Sequence, residues 1–204
     1  MEHKLCIQSD YKDFYDIKSQ HNGIIYSRKY SNCMQRGSAL KYIKGLGVNT
    51  LEIKPVSSFS YLDGKLVVYT DPKKHNGLGK IVCSYEEARA YYNNMPASKY
   101  IEDTNGFTIK VLQIGKRRFN ITFKKDESHN LLEEGNIVDF KELPSSYSSV
   151  IKLPIFSIDY IPNNNIMIAT DFNEVDNLSR LSIENYMKSD EIIEEIINSL
   201  MIHK

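Results

Sequence analysis

The order of helices and strands along these 204 residues predicts an α+β fold built on antiparallel sheets. Three observations carry this. Residues 155–161 and 166–172 alternate apolar and polar on either side of Pro162-Asn163-Asn164-Asn165, which is how an antiparallel hairpin reads. Residues 107–114 and 117–124 form a second such pair around Gly115. Near the C-terminus Ile192, Ile193, Ile196, Ile197 and Leu200 fall at helical spacing, an apolar stripe suited to covering one sheet face.

The remaining elements follow in chain order. Residues 10–31 are polar and tyrosine-rich, with only 23–26 strand-like. Residues 36–46 read as a helix with Leu40 and Ile43 on one side, stopped by Gly47. Strands are expected at 50–54 and 65–70, separated by Leu62-Asp63-Gly64. Residues 73–79 are loop and 80–83 a short strand. Ser84 and Glu87 form a capping box that opens a helix over 85–94, broken by Asn94-Met95-Pro96-Ala97. Residues 126–147 are irregular and polar, a long loop or broken helix, and the terminal helix spans about 188–202.

Composition narrows the partners. Lys plus Arg and Asp plus Glu both number 26, so net charge gives no attraction to nucleic acid or to an anionic membrane. No apolar run reaches membrane-spanning length and the N-terminus lacks a signal-peptide core, so no membrane partner is expected. Cys6, Cys33 and Cys83 are scattered and odd in number, which fits a reduced, cytoplasmic setting rather than a disulfide framework. No Gly-x-Ser-x-Gly elbow and no Cys/His cluster points to a serine nucleophile or zinc.

The chemistry concentrates in the hairpin. Residues two apart in a strand share a face, so Asp171 and Asn173 lie together and Asp159 on the partner strand can be brought opposite them. Two carboxylates and an amide oxygen suit magnesium that takes its other ligands from water and nucleotide phosphates. Upstream, Gly77-Leu78-Gly79-Lys80 has the glycines for backbone N–H groups to approach phosphate and a lysine to add charge. His75 adjoins this loop, most simply as an exposed histidine. Lys110 alternates away from Ile109 and Val111 and can point into a cleft.

These motifs, in this order, resemble the ATP-grasp superfamily, especially its glutamate-ligase-like, carboxylate–amine ligase branch. There an acidic residue is followed about twelve positions later by an acid-x-Asn triplet, matched by Asp159 and Asp171-Phe172-Asn173. The 107–125 strand-Gly-strand unit, the 67–88 glycine-rich flap with its helix, and the 38–50 helix and turn resemble the family's other parts. The resemblance covers roughly 36–200 and implies two small α+β lobes: a reduced N-terminal region 1–35, a first lobe 36–97 carrying the flap, and a second lobe 98–204 carrying the metal site. It implies ATP and Mg2+ as cofactors, with Asp159, Asp171 and Asn173 holding the metal. Gly77, Gly79 and Lys80 would bind the nucleotide. Lys110 and Lys124 stand where the family places phosphate- or substrate-gripping arginines. The family's flap-strand lysine falls near Tyr69, so Lys65 or Lys54 is the substitute. Its hinge glutamate falls at Lys99, so Glu102 or Asp103 takes that task. The implied function is a Mg-dependent carboxylate–amine ligase working through an acyl phosphate, with a nucleotide and a small-molecule or peptide carboxylate as partners. The alternative is a non-catalytic binder of a nucleotide or nucleotide-like signal, of viral type.

Overall fold

A computed structural model describes residues 5–8, 24–27, 36–71, 79–102, 106–124, 137–144, 150–151, 153–173 and 183–202. Gly77, His75 and Asp103 lie outside them. Strands β1 (Leu5–Gln8) and β2 (Ile24–Ser27) pair in parallel. Next come helix α1 (Arg36–Gly45), β3 (Lys54–Pro55), β4 (Leu66–Tyr69), β5 (Lys80–Cys83), α2 (Tyr85–Tyr92) and β6 (Pro96–Lys99). The rest is β7 (Phe107–Ile114), β8 (Arg117–Lys124), β9 (Ile137–Glu142), β10 (Ile155–Asn163), β11 (Ile166–Asn173) and α3 (Ser189–Ile202). The larger strands form two antiparallel sheets, ordered β3-β6-β4-β5 and β11-β10-β7-β8-β9. The α+β class with antiparallel sheets is therefore as the sequence indicates.

Local chemistry explains the boundaries. α1 ends with Gly47 at φ 90°, where Gly47 N–H donates to the Lys44 carbonyl and Val48 N–H to that of Ile43, a Schellman closure. The capping box of α2 is present in both halves: Glu87 N–H donates to Ser84 Oγ at 3.2 Å and Ser84 N–H to Glu87 Oε2 at 2.9 Å. The β10–β11 hairpin turns on Asn164 and Asn165, both at positive φ (45° and 68°). That is the two-residue primed turn matching strand twist, and asparagine tolerates it.

Three strands differ from the sequence expectation. Residues 50–54 do not form one strand. Thr50 makes a single parallel bridge to Ala169, and only Lys54–Pro55 pairs with β6. The segment thus leaves one sheet and enters the other. Pro96–Lys99 is a strand rather than only a helix break, with proline at its first position where the missing N–H costs least. Residues 137–142 form the edge strand β9 inside the stretch expected to be irregular. Its alternation is masked by a register shift between Thr122 and Phe123 of β8 and by exposure of most of its residues.

Both faces of the five-stranded sheet are covered. α3 sets Ile192 and Ile196 against Leu112, Ile114, Phe119, Ile121, Phe123 and Ile155. α1 sets Leu40 and Ile43 against Phe156, Ile158, Ala169 and Phe172 on the opposite face. The small sheet buries Leu66, Val68 and Ala97 under Ala88 of α2. Among the described residues no helix is long and apolar enough to cross a membrane.

The β7–β8 turn is pinned to α3. Gly115 has φ 58°, and a Cβ there would lie 2.6 Å from the Glu195 carbonyl oxygen and against its carboxylate, which already accepts the Lys116 N–H. Gly115→Ala should lower unfolding free energy by about 1–3 kcal/mol, through a left-handed backbone and a forced shift of the helix. A urea melt reads this directly. An unchanged midpoint would mean α3 is not fixed at this turn.

Candidate functional site

The site begins with the register of three strands. Asp159 on β10 is paired with Lys110 on β7 and with Asp171 on β11, so the three side chains form one row across the sheet. A bulge makes this possible. From the turn, Asn163 pairs with Ile166 and Tyr160 with Ala169, but Asp159 then pairs with Asp171, leaving Thr170 as the extra residue. Without that insertion Asp159 would face Thr170, and Asp171 would point to the other side of the sheet. Thr170 Oγ1 closes the bulge by donating to the Asp159 carbonyl at 3.2 Å.

Each carboxylate in the row holds a cation. Lys110 Nζ lies 2.8 Å from Asp159 Oδ1, and only 4% of the lysine side chain is exposed. Arg36, in the first turn of α1, donates from Nη2 to Asp171 Oδ2 at 2.9 Å. Its guanidinium also sits 5.5 Å from the ring centre of Tyr69 on β4. Burial works against the charge of Arg36, but Asp171 and Tyr69 outweigh it and hold its proton more tightly than usual. Tyr69 is itself fixed, its hydroxyl 3.0 Å from Ser98 Oγ on β6.

Lys80 enters from the small sheet, where it pairs with Tyr69 on the face turned away from α2. Burial is the main cause that lowers its pKa to about 8, and Arg36 lowers it further, while Asp171 and Asp159 pull it back only in part. The faces of the two sheets thus bring Arg36, Lys80, Lys110, Asp159 and Asp171 into one electrostatic cluster. Sequence reasoning found four of these. It missed Arg36, whose partner is 135 residues away. The available signal was a basic residue opening a helix where the macrodipole disfavours one, which is a reason to look for a carboxylate.

The other expected residues are distributed as follows. Asn173 is at the end of β11, opposite Ser157 and on the Asp171 face. Gly79 turns at φ 73°, and its carbonyl accepts the Thr70 and Asp71 N–H groups. Lys65 is exposed before β4 and contributes its carbonyl to Tyr100 N–H. Lys54 packs over the Phe59 ring and pairs with Glu52 at 3.7 Å, away from Tyr69. Glu102 is exposed after β6. Lys124 is exposed at the end of β8 and alternates onto the face opposite Lys110, whose own partner is Ile121.

Asp159, Asp171 and Asn173 are hard oxygen donors on one face, the donor type that magnesium takes. Among the described residues no three His, Cys, Asp or Glu side chains converge, and the further oxygen donor on this face is the Asn173 amide. With Arg36 and Lys110 on the two carboxylates, a divalent ion would displace these cations or share a carboxylate with them.

The Lys80 environment has a measurable signature. Its amine should titrate near pH 8 in an NMR titration of 13C-methylated protein. Arg36→Gln should move that midpoint up and Asp171→Asn move it down. An ordinary lysine midpoint would remove Lys80 from the cluster. Because this basic group is depressed on folding, the unfolded chain holds more protons between about pH 8 and 10.5, so stability rises with pH across that window. Lys80→Met should flatten that rise.

No protein-family model and no curated protein sequence matches the chain. Solved structures do match it. A Chryseobacterium gregarium RiPP-associated ATP-grasp ligase, in complex with ADP and a leader and core peptide, superposes with TM-score 0.59 at 14% identity, covering 95% of this chain and 71% of that one. The macrocyclase MdnC from Microcystis aeruginosa MRC, bound with precursor peptide MdnA, gives TM-score 0.54 at 14% identity over 86% and 64%. An N5-carboxyaminoimidazole synthetase from Staphylococcus aureus, complexed with ADP, gives 0.55 at 13% over 86% and 55%. The chain thus spans less than two thirds of the last two. Two antiparallel sheets, opposed across a charged cluster and superposing on these enzymes, make this an ATP-grasp fold.

Proposed function

We propose that the protein binds ATP between its two sheets and acts as a magnesium-dependent carboxylate–amine ligase. The observation that carries this reading is the convergence of Arg36, Lys80 and Lys110 on the Asp159–Asp171 pair. Among the described residues three cations meet two carboxylates, an arrangement suited to a polyphosphate. In this reading residues 36–97 and 98–204 are the two lobes, and the flap with Gly77 and Gly79 covers the phosphates. Glu102 would meet the base or ribose and Lys65 would be an outer contact, while Lys124, on the opposite face of the sheet, is left out of the site.

Asp159, Asp171 and Asn173 would hold magnesium, which neutralises phosphate charge when bound. An acceptor carboxylate oxygen attacks the γ-phosphorus and the bond to ADP breaks. An amine then attacks the acyl carbon, loses a proton, and phosphate leaves with the C–O electron pair. Lys110, fixed by Asp159 and Ser157, keeps an ammonium group beside the transferring phosphate with little reorganisation. Two of the structural neighbours hold a precursor or leader and core peptide, which favours a peptide carboxylate as acceptor.

A second reading, capture of a nucleotide or nucleotide-like signal without turnover, draws on a different observation. Tyr69, bonded to Ser98, stands where the family resemblance asks for a lysine. Calorimetry with ATP, with and without magnesium, combined with an ADP-release assay over amino acids and peptide carboxylates, separates the two. Turnover with any acceptor establishes the ligase, and tight binding with no ADP the binder. Asp171→Asn should weaken Mg-dependent ATP binding about 10–100-fold with the fold intact by circular dichroism. Unchanged affinity would overturn the metal assignment.

A further inference from the structure

The five-stranded sheet carries a second concave site, on the face opposite the charged row. A cavity of about 500 Å³ is lined there by Val48, Asn49, Ile109, Val111, Arg118, Asn120, Leu143, Tyr160 and Met167. Its walls are chiefly aliphatic, and two polar groups in it are incompletely matched by the described residues. Asn120 Oδ1 is buried and accepts no hydrogen bond among the described residues. A buried acceptor without a donor costs stability, and such groups are uncommon in folded proteins unless something outside the chain completes them.

The second group is Arg118. Its neighbour Arg117 has a bidentate carboxylate partner in Glu142, at 2.8 Å through both Nε and Nη2. Arg118 has none among the described residues. Its Nε and Nη2 donate to the neutral Gln113 Oε1 at 3.1 and 2.8 Å. Burial lowers its proton affinity, and Tyr160 is the group that offsets this. Gln113 therefore orients the guanidinium without neutralising it. Arg118 and Asn120 are two apart on β8, so both face the cavity side by side.

We propose that this cavity binds a small carboxylate that brings its own N–H donor and an apolar side chain, the chemistry of an apolar α-amino acid, free or at a peptide C-terminus. The carboxylate pairs with Arg118, the N–H donates to Asn120 Oδ1, and the side chain lies among Ile109, Val111, Leu143 and Met167. The site is independent of the nucleotide cluster, because pleating turns Arg118 and Asn120 away from Lys110 and Asp159. An ion pair with a planar carboxylate is the partner a guanidinium fork fits.

The test is an NMR titration of the full chain with three probes: L-leucine, N-acetyl-L-leucine and L-leucinamide. Shifts of the Asn120 side-chain amide and Arg118 Nε–H signals should appear with at least one of the first two, which separates free amino acid from peptide C-terminus. Leucinamide, lacking the carboxylate, should bind at least about tenfold more weakly. Arg118→Met and Asn120→Leu should each weaken the productive probe about tenfold or more. Asn120→Leu should also fold at least as stably as the wild type, since it removes an unpaired buried oxygen. The Mg–ATP calorimetric response should be unchanged in both variants. Absence of shifts with both carboxylate probes at about 10 mM, or equal binding of leucinamide, overturns the proposal. So does unweakened binding in both variants.

Discussion

One inserted residue sets the geometry of the charged cluster. In a hairpin closed by a two-residue turn, pairing is fixed outward from the turn, and Asn164-Asn165 fixes it so that Tyr160 meets Ala169. Continued without interruption, that register separates the two aspartates onto opposite faces. Thr170 absorbs one position, and beyond it Asp171 faces Asp159 while Phe172 faces Ile158. The same slip serves packing. Ala169 and Phe172, three apart, both enter the core beneath α1, which a regular strand does not allow. Hydrophobic burial on one face and carboxylate pairing on the other thus depend on a single bulge.

The cluster is drawn from four distant parts of the chain: the start of α1, the β4–β5 pair, β7 and the β10–β11 hairpin. Arg36 joins them, because its guanidinium contacts Asp171 of the large sheet and the Tyr69 ring of the small one. Exposed ion pairs contribute little to stability, but the Lys110–Asp159 pair lies with its lysine almost wholly removed from water. Breaking such a pair leaves a buried charge uncompensated, so its members resist independent substitution.

Much of this was legible in the residues. The hairpins, the capped helix α2, the apolar stripe of α3 and the two aspartates with Asn173 on the second hairpin are local patterns, encoded within a short stretch of chain. Lys110 was legible because its apolar neighbours Ile109 and Val111 state the alternation. What the residues did not disclose was long-range or irregular. Arg36 looks like an ordinary exposed helix start until Asp171 is folded against it. β9 lies at a sheet edge with a register shift, so its face preference is weak. The bulge had a faint trace, since apolar Met167, Ala169 and Phe172 break the period of two. Lys124 shows the converse hazard: position in a motif suggested a role, while counting along β8 from Ile121 turns it to the other face.

The electrostatics of Lys80 follow from the same assembly. Arg36 and Asp171 satisfy each other, as do Lys110 and Asp159, before β5 brings in a third cation. That cation arrives half-buried, near a guanidinium and near carboxylates whose field is already spent on closer partners, so its proton is loosely held. A protein optimised only for stability would place a neutral side chain there. Under the proposed function a phosphate beside Lys80 would supply the counter-charge the protein withholds and would raise the pKa of the amine back toward its ordinary value. The cost of burying that amine and the cluster's proposed affinity for an anion would then share one electrostatic origin.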